Sequence, residues 1–169
     1  MALLSLDVGM RSTGFTVWEG GAILHYGCIH TEKAKGKQVR ASNDHAHRAA
    51  TLARGLAEVC EKWAINGVIG ELPSGGAQSA NAMKLMALAT GAVAAFAELR
   101  DLPAEWTDPN SVKLALCGKR SATKDEMMQA ALEKFKFRAG MPKCEFEHVA
   151  DSCGVYLALR TGNLVKMHG

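Results

Sequence analysis

The chain has 169 residues, 48% of them apolar and 22% charged, with a formal net charge of +3. That is enough for one domain with a real core. No run approaches the roughly 18 consecutive apolar residues needed to span a bilayer, so no membrane partner is expected. Met1 leads straight into a strand, without the basic stretch and cleavage site of a secretory signal. Cys28, Cys60, Cys117, Cys144 and Cys153 form no CxxC pair and leave one over. This suits a reducing cytosol and argues against a disulfide framework or a zinc knuckle.

In chain order, residues 2–7, 13–18 and 22–29 read as short strands, with Gly9 and the Gly20-Gly21 pair at the turns. A lysine-rich loop from Thr31 to Asn43 follows. From Asp44 to Trp63, Ala46, Ala49, Ala50, Leu52, Ala53, Leu56, Val59, Cys60 and Trp63 recur at helical spacing. Gly67 opens an apolar strand that runs to Glu71 and is stopped by Pro73. Helix then strand is a crossover that would lay this strand parallel to the first.

A turn at Ser74-Gly75-Gly76 leads to a long helix, residues 77–99, rich in alanine. Two readings stay open for it: a core helix buried on two sides, or one whose small residues meet a second subunit. Ala104 to Thr107 is an edge strand, and Asp108-Pro109-Asn110 starts a helix through Leu116. Gly118 to Ala122 is a loop. Thr123 with Glu126 three residues on is an N-cap that opens another helix. Glu145 to Leu159 is read as the last helix, with His148 and Asp151 on one face. The pattern is an α/β domain with a mixed sheet and a single core.

Basic residues gather at Lys33, Lys35, Lys37 and Arg40, at Lys113, Lys119, Arg120 and Lys124, and at Lys134, Lys136, Arg138 and Lys143. Gathered on one face they would bind a polyanion; spread out, they are solvated surface. Three acids end apolar segments far apart in sequence: Asp7, Glu71 and Asp151. Carboxylates brought together in this way suit a hard cation. His25, His30, His45, His47 and His168 show no ligand spacing.

The ordered motifs Asp7-Val8-Gly9-Met10-Arg11-Ser12-Thr13-Gly14, Val68-Ile69-Gly70-Glu71, Ser111-Val112-Lys113, Gly118 through Lys124 and His148-Val149-Ala150-Asp151 resemble the RuvC family of Holliday junction resolvases. The resemblance runs over nearly the whole chain. It implies one RuvC-like nuclease domain, residues 1–169, with the RNase H-like fold: a mixed five-stranded sheet flanked by helices. The implied activity is structure-selective endonucleolytic hydrolysis of four-way junctions. The implied metal ligands are Asp7, Glu71, His148 and Asp151, holding two Mg²⁺ per site, with Mn²⁺ accepted because a histidine nitrogen is softer. Lys113 and Lys124 would steady the scissile phosphate. Ser74, Gly75, Gln78, Lys113, Lys119, Arg120 and Lys124 would contact DNA. The implied partners are a four-way junction or other branched DNA and a second copy of the chain, docked through the helix 77–99. The expected location is the cytoplasm of a bacterial or phage-infected cell.

The chain departs from the family after the second acid. Leu72 to Ser79 carries no aromatic to stack on junction bases. A branched-DNA nuclease of relaxed selectivity is therefore a near variant. A junction binder that does not cut, and a phosphotransferase sharing the Asp-x-Gly opening, are the competing classes. Crowded carboxylates without a metal repel one another, which weighs against the binder. A phosphotransferase would need a second similar domain to close on its nucleotide.

Overall fold

Alternation along the first strand decides the architecture. Leu3 and Ser5 point to one side of the sheet while Leu4 and Leu6 point to the other, and all four are buried. A strand buried on both faces needs helices above and below it. The structure is a computed structural model, and it describes residues 1–35, 39–72, 79–137 and 140–168. Its strands are β1 (Ala2–Asp7), β2 (Ser12–Glu19), β3 (Ala22–His30), β4 (Ile65–Glu71) and β5 (Ala104–Thr107). They form one mixed five-stranded sheet in the order β3-β2-β1-β4-β5. The β1–β2–β3 pairings are antiparallel, and β4 and β5 continue parallel to β1. The β2–β3 turn is Gly20-Gly21, both at positive φ (55° and 76°), as a tight hairpin requires.

The helices are α1 (Ala41–Trp63), α2 (Ala80–Leu99), α3 (Pro109–Cys117), α4 (Lys124–Lys134), α5 (Lys143–Ala158) and α6 (Asn163–His168). On one face, Leu4, Leu6, Val17 and Val68 pack with Leu52 and Leu56 of α1 and with Ala89 and Val93 of α2. On the other, Leu3, Trp18 and Ile69 pack with residues of α3, α4, α5 and α6. The indole of Trp18 stacks on Tyr156 at 3.9 Å between centroids and donates its N–H to Ser5 Oγ at 2.8 Å. Beside this, Thr16 Oγ1 and Ser152 Oγ share a buried hydrogen bond of 2.6 Å between β2 and α5.

Besides shifts of one or two residues at other ends, four features differ from the expectation. Strand β4 starts at Ile65, before Gly67. Helix α2 starts at Ala80, where Ser79 Oγ accepts from the Ala82 amide. Helix α5 is not the last, because α6 follows it. Its exposed N–H groups are met from outside the segment: Glu105 of β5 accepts from the amides of Asn163 (3.0 Å) and Leu164 (3.1 Å).

The fourth difference bears on the site. Helix α1 begins at Ala41, inside the expected loop, and its buried positions are Asp44, Arg48, Leu52, Leu56 and Cys60. Ala46 and Ala50 are exposed instead. The two buried polar residues are satisfied by partners that local pattern cannot foresee. Asp44 accepts from the Ala34 amide at 2.6 Å. Arg48 donates to Thr31 Oγ1 at 2.9 Å and to the Met10 carbonyl at 3.2 Å, and the Thr31 hydroxyl also donates to that carbonyl. Arg48 thereby clamps the loop after β1. Arg48→Met keeps the apolar stem and removes these donors. It is expected to cost about 2 kcal/mol, read as a lower urea midpoint at unchanged slope.

Candidate active site

The parallel register pairs Leu6 with Gly70, so Asp7 and Glu71 end adjacent strands side by side. By alternation both fall on the Leu3–Ile69 face, which α5 crosses. The approach of that helix depends on one missing side chain. Gly14 is the β2 partner of Asp7, and a Cβ there would lie 2.3 Å from the His148 carbonyl oxygen. The glycine lets the α5 backbone rest on the sheet beside Asp7. Thr13 closes the intervening loop: its hydroxyl donates to the Gly9 carbonyl at 2.8 Å and accepts from the Gly9 amide at 3.3 Å.

The result is a four-residue cluster from three elements. His148 Nδ1 lies 2.6 Å from Asp7 Oδ2, the ring N–H donating to the carboxylate. That bond holds the imidazole above its ordinary pKa. Asp151, one turn along α5, is pushed up to about 7, first by burial and then by the charge of Asp7, against the pull of Lys124, His148 and Lys113. Glu71 is pushed up to about 8 by burial and by the charges of Asp7, Asp151 and Asp108.

Two of the three carboxyls thus resist ionisation, first because they are buried and then because negative charge is crowded here and only partly compensated. Hard oxygen donors plus one imidazole, short of positive charge, fit a divalent cation. Asp7, Glu71, Asp151 and His148 are the residues that would hold it: His148 touches Asp7, and Glu71 and Asp151 lie near enough to feel its charge.

Metal-free protein should show these shifts as a pH dependence of stability. Raised carboxyl pKa values give a stabilising share that is full below about pH 4, where the unfolded chain titrates, and is lost as pH rises through 7 and 8. His148 has the same sign. In chelator, Glu71→Gln is therefore expected to melt higher than wild type at pH 8 and to lose that advantage by pH 4. A constant difference across the range would contradict the charge crowding.

The lysines divide into two groups. Lys113 on α3 is close enough to lower the pKa of both Glu71 and Asp151. Lys124, the first residue of α4, bonds Glu147 at 2.9 Å, and this contact raises its pKa. Thr123 caps α4 in a full capping box with Glu126, as the sequence indicates. Lys119 and Arg120 sit on the exposed turn between α3 and α4, where Lys119 pairs with Glu126 at 2.5 Å. Ser74, Gly75 and Gln78 lie outside the described residues. Sequence reasoning missed Glu147, although it adjoins His148 in the motif, and Arg48, whose four-residue spacing from Asp44 and Leu52 was the available signal.

No family model matches the chain, and no curated protein does either. Solved structures do. Thermus thermophilus RuvC superposes with a TM-score of 0.71 at 22% identity, over 99% of this chain and 96% of that one. The T. thermophilus RuvC in complex with Holliday junction substrate also gives 0.71 at 22%, over 94% and 92%. The yeast mitochondrial Holliday junction resolvase Ydc2 gives 0.63 at 13%, over 92% and 76%. At such identities the likeness establishes the fold: this chain has the RNase H-like fold of RuvC.

Proposed function

We propose that this chain is a metal-dependent endonuclease that resolves four-way DNA junctions by paired hydrolysis. The observation that carries the reading is the approach of Asp7, Glu71, Asp151 and His148 to one another at the C-terminal ends of β1 and β4 in a RuvC-like fold. Asp7 with Glu71 would hold one cation, and Asp7 with Asp151 and His148 the other. Two such ions, when bound, activate water and stabilise the departing 3′ oxygen. Mg²⁺ serves this donor set, and the histidine nitrogen admits Mn²⁺.

The chain's own residues supply the rest. The β1 and β4 backbones fix Asp7 and Glu71, so neither needs to reorganise as charge builds at the phosphate. Before a cation binds, His148 keeps Asp7 oriented through its ring N–H, and that proton would leave to solvent when the imidazole takes the metal. Lys113 and Lys124 bring positive charge beside the acids, where a scissile phosphate gains it. Glu147 holds Lys124 in register until that phosphate arrives. Arg120, and Lys119 where a phosphate displaces its partner Glu126, lie on the exposed turn between α3 and α4 and would meet backbone phosphates along a DNA arm, contacts that position without reading sequence. Ser74, Gly75 and Gln78 would add contacts to DNA phosphates.

Symmetric cutting needs two sites, and a C2 pair provides them. Helix α2 has the length and hydropathy of a membrane span, yet it connects β4 to β5 within one sheet. A crossover helix of this kind lies along the sheet. Its exposed side carries Met83, Ala87, Gly91, Ala94 and Glu98, a run of mostly small residues along one face. Small residues there favour close packing of a second α2. Ala94→Arg is expected to give a monomer by light scattering and to uncouple the two nicks. A wild-type monomer at micromolar concentration would remove α2 as an interface.

The experiment that tests the function compares an immobile four-way junction with a duplex of equal length, in Mg²⁺ and in Mn²⁺. Paired nicks near the branch point and an intact duplex are expected. Junction binding without cutting in either metal would overturn the catalytic reading while leaving the fold.

A further inference from the structure

Three donor side chains meet a short distance from the cluster just described, and none of them belongs to it. Cys28 and His30 sit two apart on β3 and so project from the same face of the strand. Glu145 lies in the first turn of α5, which packs over that strand. The Cys28 Sγ, a ring nitrogen of His30 and a carboxylate oxygen of Glu145 all lie within 4.8 Å of one another. His30 Nε2 and Glu145 Oε1 are 3.5 Å apart. A tetrahedral zinc with bonds of 2.0–2.3 Å spaces its ligand atoms about 3.3–3.8 Å apart, so one edge is already formed. The other two separations, at up to 4.8 Å, close to ligand spacing through small rotations of the Cys28, His30 and Glu145 side chains.

From this geometry we infer that Cys28, His30 and Glu145 form a second metal site, one that takes Zn²⁺ and fastens β3 to the first turn of α5. Thiolate, imidazole and carboxylate together are a borderline-soft set, unlike the oxygen-rich cluster around Asp7. A cavity of about 520 Å³, lined by His30, Cys144, Glu145 and His148 among others, gives an ion access from solvent. Two existing contacts rehearse the clamp: the Cys28 thiol donates to the Glu145 carbonyl at 3.4 Å, and His30 faces the Glu145 carboxylate. On binding, the Cys28 S–H bond breaks, the thiolate sulfur bonds to zinc and the proton leaves to solvent. The site would hold the start of the helix that carries His148 and Asp151. Its period-two spacing is that of a strand, which is why a search for CxxC patterns passes over it.

Cobalt tests the site, because thiolate ligation gives Co²⁺ an intense near-ultraviolet charge-transfer band that carboxylates and imidazoles do not. Reduced, chelator-stripped full chain is titrated with Co²⁺ and then with Zn²⁺. The wild type is expected to develop the band at one equivalent and to lose it as Zn²⁺ displaces Co²⁺. Cys28→Ser should never show it. His30→Ala, at an exposed ring that the fold does not need, should weaken Co²⁺ binding at this site by more than the roughly 100-fold that outer partners of metal ligands are worth. Asp7→Asn should keep the band, which separates this site from the proposed catalytic one. Absence of the band in wild type at saturating Co²⁺ would overturn the inference and leave His30–Glu145 as a side-chain contact only. A band that persists in Cys28→Ser would overturn it too, by assigning the thiolate to another cysteine.

Discussion

Asp7→Asn is expected to lower junction cleavage by at least ~10³-fold, about 4 kcal/mol of transition-state stabilisation, and to leave junction binding in Ca²⁺ intact. The amide keeps an oxygen that can accept from the His148 ring, so the local geometry survives. What disappears is a full negative charge at the one position both cations would share. The same change has a second, opposite effect. Asp7 is a cause of the raised pKa of both Glu71 and Asp151, so its neutralisation lets them ionise more easily. In chelator at pH 8 the variant should therefore melt above wild type. Lost cleavage with gained metal-free stability marks a charge placed for catalysis at the expense of the fold. Cleavage retained by Asp7→Asn would sink the assignment.

Gly14→Val should produce the largest loss of stability of any single change near the site, about 3 kcal/mol or more. The colliding atoms are the His148 carbonyl and Cβ, and helix backbone cannot yield as the end of a flexible side chain can. Helix α5 would have to lift from β2, carrying His148 away from Asp7 and Asp151 away from Glu71. Cleavage should fall together with the melting temperature, and adding Mg²⁺ should not restore it. An unchanged melting temperature would mean that α5 does not rest on this glycine.

The parts of the fold legible in the sequence are those set by local pattern. Leu3 to Asp7 and Val68 to Glu71 are apolar runs that each end in an acid, and both become adjacent parallel strands. Thr123 and Glu126 spell a capping box, and the structure contains it. The three-residue spacing of His148 and Asp151 places them one turn apart on α5, as the sequence implies. What stayed hidden depends on partners distant in the chain. Asp44 and Arg48 look like the solvated start of a helix until Ala34, Thr31 and Met10 come round to meet them. Helix α6 is too short to announce itself, and its N-terminus is capped by Glu105, some sixty residues earlier. The Lys124–Glu147 pair likewise joins two helices. Composition could not say whether the basic clusters share a face, and Lys119 turns out to spend its charge on Glu126.

The buried hydrogen bond between Thr16 and Ser152 has a consequence for precision. Apolar packing alone would let a helix creep along a sheet, since one methyl group substitutes for another at little cost. Advancing α5 by one residue would shift it about 1.5 Å and turn it about 100°, which would swing Asp151 off the site. Two hydroxyls that must find each other in a dry interface tolerate no such slip. They serve as an index pin between machine parts, fixing which helix residue arrives beside Asp7 more than how tightly the helix is held.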